Sequence, residues 1–399
     1  MARILVLDGQ SAAALSITRS AGKAGHWVAV GANGGLFAPA KLSRYCRAIL
    51  DYPVSTAEPA AFIHSILEFA RGQACDLVIP VTDWTLGPIS AQRERFAGIS
   101  KVAMPSQAAL EFASDKFRTI ELAKSIGITV PSTVLLPSVD DLARHQSTAY
   151  PVVVKDRFSA RWIDGKAVLG SVKYANSAEE LRTRVIQRIQ AAGDVLTQEF
   201  VAGVGIGFSC FVAEGKAYLP FQWERVRESD PRGSASCARK SIPLDASVAS
   251  LSQRLVLAMG FEGIAMVEYK RAADGRLILM EVNGRPWGSI GLPVASGIDY
   301  PRFLIEWWLQ GSVPQARVAY RENLLCRQIV GELTYLSNLR SGPPANWPFR
   351  YPSFWGSLLS MAVPWRPGMC YDDFWFSDSR PARAGIRRWF ESRLKKSRN

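Results

Sequence analysis

Two glutamates, an asparagine and an arginine in the stretch Gly263 to Ser289, GIAMVEYKRAADGRLILMEVNGRPWGS, carry the clearest chemistry in this chain. Glu268 interrupts one apolar run and Glu281 another, and Asn283 and Arg285 follow Glu281 at steps of two. Residues two apart on a strand share a face. Two carboxylates and an amide oxygen converging from paired strands form a hard, all-oxygen donor set, which suits Mg²⁺ carrying nucleotide phosphates. Arg285 then adds a cation beside that set. A lone strand glutamate is ordinarily a solvated surface residue. These two sit among Met, Val, Ile and Leu, where a buried charge needs a partner or a metal.

Further cations follow. Tyr150 to Lys155, YPVVVK, is a valine run that delivers one lysine, a point charge suited to the β-phosphate region of a nucleotide. Arg225 and Arg227 share a strand face by period two, and Arg239 and Lys240 lie on the next strand. Four such cations would neutralise a transferring phosphoryl group. The bland alternative is that they are exposed charges blunting a sheet edge.

The elements that must position these groups can be read in order. Ile264–Lys270 and Leu277–Val282 are β-formers joined at Asp274-Gly275, a strong hairpin dipeptide. Residues 1 to about 110 alternate strand (3–7, 26–30, 76–81, 101–104) and helix (12–24, 58–71), which predicts a parallel sheet wound by helices. Its first turn, Asp8-Gly9-Gln10-Ser11, lacks the dinucleotide fingerprint. Asp83 and Trp84 follow a strand end and are candidates for a substrate site. Helices are expected over 114–126, 177–192, 245–259 and 299–309, and strands over 195–201, 208–212, 216–227 and 237–242. Gly203, Gly205 and Gly207 imitate a nucleotide loop but fall between strands, so no helix dipole aims at them.

Composition narrows the class. A chain of 399 residues is long for one core, and 48% apolar with 21% charged residues is ordinary for a globular protein. The six cysteines form no Cys-x-x-Cys, so neither a zinc site nor a disulfide framework is indicated and a reducing cytosol fits. No stretch approaches the about 18 continuous apolar residues of a membrane span. The net charge is +13, of which residues 380–399 supply +7 through six Arg and two Lys against one Glu. With Ile386, Trp389, Phe390 and Leu394 on one face, that tail reads as a basic amphipathic helix for an anionic membrane surface, for its own protein body, or for solvent. No nucleic-acid motif accompanies the charge. Six prolines from 343 to 367 and five tryptophans from 347 to 389 suggest an irregular appended segment.

The Glu268–Glu281–Asn283 pattern resembles the metal-binding end of the ATP-grasp superfamily. The resemblance covers about residues 112–312. It implies an α/β (α+β) architecture: a Rossmann-like domain (1–111), a two-subdomain ATP-grasp body (112–312, with a small lid over about 128–202) and a C-terminal extension (313–399). It implies ATP with Mg²⁺ or Mn²⁺ as cofactors, the metal held by Glu268, Glu281 and Asn283. Lys116, at the start of its helix, and Lys155 match the lysines on the nucleotide phosphates. Gln198, Glu199 and Val201 match the adenine hinge by position, and Arg285 matches a residue on the acyl-phosphate side. The segment around Arg227 and Lys240 resembles a carboligase branch, with Trp223 where that branch often has histidine. The loop after Lys155, DRFSARWIDG, departs from the family's glycine-rich loop, and Arg157, Ser159 and Arg161 are candidate replacements for its donors.

The function this implies is an ATP-dependent carboxylate–amine ligase, with Arg285, Arg227 and Lys240 neutralising the acyl phosphate. Its partners would be a small carboxylate and a small amine, with no nucleic acid, and a homodimer is compatible. Two alternatives stay open: a carboxylase or phosphotransferase on the same fold, and a non-catalytic nucleotide-binding protein that docks on a membrane or assembly through residues 380–398.

Overall fold

The structure, a computed structural model, describes residues 1–145, 149–163, 166–313, 319–343, 347 and 349–396. A five-stranded parallel sheet opens the chain: β1 (Arg3–Val6), β2 (Trp27–Asn33), β3 (Cys46–Tyr52), β4 (Leu77–Ile79) and β5 (Lys101–Val102), in the order β3-β2-β1-β4-β5. Helices α1 (Ala12–Lys23), α2 (Pro59–Gly72) and α3 (Asp83–Ala91) connect its strands. Ser11 caps α1 by accepting from the Ala14 N–H, as its sequence position predicts. Neither β3 nor α3 was legible in the sequence. The outward positions of β3 carry Arg47, Ile49 and Asp51, which blur the strand pattern, and α3 holds Pro88 in its interior.

Two short helices, α4 (Gln107–Ser114) and α5 (Lys116–Ser125), lead into a small antiparallel sheet. They meet at Asp115, whose carboxylate accepts from the Phe117 and Arg118 N–H groups and caps α5. The helix expected over 114–126 is α5, which starts after the Asp115 cap, and α4 before it was not expected from the sequence. This region holds β6 (Thr133–Leu136), β7 (Val152–Asp156), β8 (Ala160–Ile163), β9 (Lys166–Leu169), β10 (Val172–Ala175) and β11 (Val195–Glu199), of which β6, β7, β10 and β11 form the small sheet. Its order is β10-β7-β11-β6, with the β8–β9 hairpin apart and α6 (Ala178–Ala192) packed on one face.

The large sheet carries the site. It is built from β12 (Val204–Ala213), β13 (Lys216–Glu228), β14 (Ser236–Ser241), β15 (Gly263–Arg271), β16 (Leu277–Asn283), β17 (Leu325–Arg327) and β18 (Met369–Tyr371), in the order β16-β15-β12-β13-β14-β17-β18. Helix α7 (Ala246–Ala258) covers one face, with Phe208, Cys210, Val256 and Val267 in that layer of core. Helices α8 (Gly291–Ser296) and α9 (Tyr300–Gln310) pack on the other, where Phe221, Trp223, Trp287 and Tyr300 join a core continuous with Ile4, Leu15 and Val28 of the first sheet.

The C-terminal segment, 313–399, is not the irregular appendage its composition suggests. Strands β17 and β18 extend the large sheet, and α10 (Ile329–Arg340), α11 (Phe354–Met361) and α12 (Arg380–Lys396) surround them. Strands of three residues are too short for any periodicity to reveal. Arg19 of α1 fastens this region to the first sheet. Fully buried, it donates to Asp378 Oδ2 (2.8 Å) and to the carbonyls of Asp372 (2.6 Å), Asp373 (3.1 Å) and Asp378 (2.8 Å). Asp378 also accepts from Ser43 Oγ and the Arg44 N–H. Breaking a buried pair strands the remaining charge, at a cost of roughly 3–5 kcal/mol. Arg19→Ala is accordingly expected to lower unfolding free energy by about that amount in urea titrations, since Asp378 stays buried.

Candidate active site

The register of β15 and β16 sets Glu268 directly opposite Glu281 and Met266 opposite Asn283. A bulge at Met280 follows, so two residues of β16 answer one of β15. Glu268, Glu281 and Asn283 all line one cavity of about 650 Å³, with Glu281 the most exposed of the three. Asn283 Nδ2 donates to Glu281 Oε1 at 2.8 Å, and Arg225 NH2 reaches both oxygens of Glu268 at 2.5 Å. Burial pushes the Glu268 carboxyl above its usual range; Arg225 opposes that shift and the Glu281 charge adds to it. Two facing carboxylates with an amide oxygen beside them are a donor set that a hard divalent cation would relieve of its repulsion, so the residues fit magnesium. Among the described residues no group of three His, Cys, Asp or Glu side chains gathers for a metal. The fit therefore rests on two carboxylates and one amide.

Lysines supply the opposite charge. Lys155, on β7, lines the same cavity and donates to Gln198 Oε1 at 2.7 Å. Burial and the nearby charge of Lys116 bring its ammonium down to about 8, against the upward pull of Glu281. Lys116 opens α5. Burial lowers it too, while Glu281, Asp156, Asp83 and Asp115 raise it. Gln198 is almost wholly buried and also donates to Thr133 Oγ1 at 2.9 Å, so its side chain is occupied in orienting Lys155. Glu199 and Val201 line the cavity at the hinge, with the Glu199 carboxylate accepting from the Ser132 N–H at 2.9 Å. Phe200, between them, stacks on Phe349 of the C-terminal region at a centroid distance of 4.8 Å.

The cation cluster is corrected by the structure. A bulge in β13 breaks the period of two after Arg225. Arg225 therefore faces the cavity, while Arg227 turns to Glu332 of α10 at 2.7 Å. Arg239 is buried in an ion pair with Asp372. Lys240 pairs with Glu224 at 3.2 Å, one strand position off the Arg225–Arg239 pair and hence on the opposite face. Neither Arg227 nor Lys240 lines the cavity. Arg285 does, and its NH2 holds Asp83 of α3 at 2.8 Å, which joins the first domain to the site. In the loop after Lys155, Arg157 is committed to Asp115 (2.7 Å) and Asp194 (2.9 Å). Ser159 lines a neighbouring cavity of about 260 Å³, and Arg161 lies outside the described side chains.

The Gly203–Gly207 run has a packing reason and not a phosphate one. A Cβ on Gly205 would stand 2.5 Å from Arg225 Cδ, and one on Gly207 2.1 Å from Trp223 Cε2. Bare backbone on β12 is what lets both side chains lie across it. Trp223 in turn stacks on Trp287, with centroids 6.1 Å apart and rings nearly parallel. Trp287 was missed in the sequence, although it continues the Glu281–Asn283–Arg285 alternation by one step. It lines the cavity with a buried Nε1 that has no hydrogen-bond partner among the described residues.

This architecture, a parallel α/β domain followed by a small antiparallel sheet and a large sheet whose residues line one cavity of carboxylates and lysine, is the ATP-grasp fold. The family described as "ATP-grasp in the biosynthetic pathway with Ter operon" matches residues 192–331. A probable alpha-L-glutamate ligase of Aeromonas salmonicida (strain A449) is 28% identical over 226 residues, covering 55% of this chain and 71% of the relative. Among solved structures, L-amino acid ligase from Bacillus licheniformis aligns with a TM-score of 0.57 at 16% identity, covering 78% of this chain and 74% of the other. The biotin carboxylase domain of Hydrogenobacter thermophilus 2-oxoglutarate carboxylase, in complex with MgADP, aligns with a TM-score of 0.63 at 16% identity, covering 81% and 73%. The solved structures share the fold, and the family model and the relative support an ATP-grasp ligase.

The lowered Lys155 ammonium has a consequence for pH. Below about 8 it is charged in the free protein and attracts phosphate; above, it is neutral. ADP affinity measured by calorimetry is expected to fall as pH rises from 7 to 9, and Lys155→Met should be both weaker and flat across that range. Stability moves the other way. Between about 8 and the ordinary lysine value of 10.5 the unfolded chain binds the extra proton, so stability gains from this group as pH rises.

Proposed function

We propose that this protein activates a small carboxylate as its acyl phosphate at the expense of ATP and couples it to a small amine, with release of ADP and phosphate. The observation that carries the reading is the meeting of Glu268, Glu281 and Asn283 with Lys155 in one cavity, with Lys116 close enough for its charge to act there. The hinge residues Glu199 and Val201 would take the adenine end, and Lys155, steadied by Gln198, with Lys116, the phosphates. Glu268, Glu281 and Asn283 would hold magnesium or manganese, which when bound would supply positive charge against the phosphates' negative charge. A substrate carboxylate oxygen attacks the γ-phosphorus and the bond to ADP breaks. Arg285, aimed by Asp83, neutralises the resulting acyl phosphate. The amine nitrogen then attacks the acyl carbon, the C–O bond to phosphate breaks, and the nitrogen's proton leaves with the phosphate. Positioning and charge do this work, so no nucleophilic Ser or Cys is required. Arg227 and Lys240, each already paired away from the cavity, have no part in it.

An ADP-release screen crossing carboxylates with amines tests the reading, with mass spectrometry to separate an amide from a phosphorylated or carboxylated product. Glu281→Gln is expected to lose at least about 100-fold in turnover, on the scale of removing one preorganised electrostatic group, while its unfolding midpoint stays at the parent value. Full ADP release by that variant would remove the metal assignment.

A cytosolic enzyme, homodimeric and touching an anionic membrane, is the fuller form of this proposal. The solved neighbour from Hydrogenobacter thermophilus is described as a domain dimer, and all six cysteines are free thiols. Helix α12 divides its apolar side. Ala382 and Gly385 are buried and Trp389 Nε1 donates to Thr334, whereas Phe390 and Leu394 face outward among arginines. Trp355 and Leu359 of α11 are 71% and 74% exposed. Among the described residues no helix is long and apolar enough to cross a membrane. Phe390→Glu with Leu394→Glu should abolish co-sedimentation with anionic vesicles; no binding by the parent chain would end the membrane part of the proposal.

A further inference from the structure

A second cavity, of about 350 Å³, lies where the first domain meets the C-terminal region. Ala12 and Gln328 belong to the walls of both this cavity and the catalytic one, so the two are neighbours across those residues. Its end nearest the catalytic cavity is polar. Gln10 stands two residues before Ala12, and Asp373 accepts from the N–H of Val330, two residues after Gln328. Its remaining walls are mixed: Leu15, Phe37, Pro39, Ala382 and Trp389 are apolar, while Asp372, Arg388 and Ser392 are polar.

The polar end is short of donors. Gln10 Oε1 and Asp373 Oδ1 are both buried, and neither has a hydrogen-bond partner among the described residues. The surrounding charges are already matched, Arg19 with Asp378 and Arg239 with Asp372, while Arg388 lies exposed at the rim, 5.4 Å above the Phe37 ring. Among the described residues the Asp373 carboxylate makes no ion pair; Arg19 acts on it only through its charge, and the Ile329 and Val330 N–H groups face it. Arg19 meets its backbone carbonyl, and burial holds the carboxyl above its usual range. Two buried acceptors facing a cavity lack a group that donates hydrogen bonds and carries positive charge.

We propose that this cavity is the binding site of the amine substrate, taken as a primary ammonium between Gln10 Oε1 and Asp373 Oδ1, with an apolar body lying toward Phe37, Ala382 and Trp389. The inference rests on the ligase reading for what the amine is used for, but not for its binding. The ammonium end faces the cavity in which the acyl phosphate would form, and the C-terminal region, outside the residues matched by the family, becomes one wall of the acceptor site. A cavity of this size admits an amine of roughly ten heavy atoms and fits the usual range for small-molecule sites, about 300–1,000 Å³.

Binding can be read without turnover. Primary ammonium ions from ethylammonium to 2-phenylethylammonium would be titrated into the full chain by ligand-observed NMR, beside the neutral alcohols of the same shape. Saturable binding that strengthens with apolar length and is absent for the alcohols is expected. Asp373→Asn should weaken it at least about tenfold, the effect of losing one charged hydrogen-bond partner. Because Asp373 also receives a helix N–H, Gln10→Met serves as a second variant with Asp373 intact, and it should weaken binding several-fold. No saturable binding by any ammonium, equal binding by the alcohols, or parent affinity in both variants would overturn the proposal. ADP titrated into the same samples separates the two ideas: failure to bind ADP would sink the ligase reading alone, and normal ADP binding without ammonium binding would sink this one alone.

Discussion

Glu268 and Glu281 are paired across β15 and β16, and like charges at directly opposed strand positions repel. The rest of the site is arranged around that repulsion. Arg225 grips one carboxylate from β13, reaching across β12 on the same face of the sheet, the Asn283 amide leans on the other, and two lysines stand within electrostatic reach. None of these compensations is complete, because Lys155 is itself pulled toward neutrality by burial. The cavity is thus a place of frustrated charge, with acids that want a cation and ammonium groups that want an anion. A metal-bound polyphosphate answers both demands at once, which is the physical case for the nucleotide.

Holding those groups in place draws on all parts of the chain. Bare backbone at Gly205 and Gly207 lets Arg225 and Trp223 cross β12, and Trp223 then stacks on Trp287, two residues beyond Arg285. Arg285 reaches to Asp83 in the first domain. From the same domain, buried Arg19 ties down residues 372–378, whose neighbouring strand β18 completes the large sheet. The cavity is therefore a property of the assembled chain. Substitutions far from the carboxylates, in α1 or near the C-terminal strands, act on it through these ties.

Much of this was legible from residue order. The hairpin around Asp274-Gly275, the two glutamates and the asparagine on one face, the lysine ending the valine run and the helices beginning near Ser11, Ser177, Asp245 and Asp299 all depend on neighbours close in sequence. Local geometry fixes such features wherever the segment ends up. The cations of β13 and β14 were misjudged for the complementary reason. Strict alternation put Arg227 beside Arg225, but a bulge rotated it toward a glutamate more than a hundred residues away, and pairing across the strands turned Lys240 to the other face. The C-terminal strands escaped notice because three residues hold no period.

What the sequence alone determined is the chemistry of the donor set and the secondary structure that presents it, since both follow from side-chain type and a two-residue repeat. Only the tertiary structure decided which cations reach the cavity, that Gln198 is engaged by Lys155, and that the tail builds a second cavity instead of a loose arm. Those outcomes depend on which distant partner satisfies each buried charge, and a partner's distance along the chain carries no trace in the local pattern.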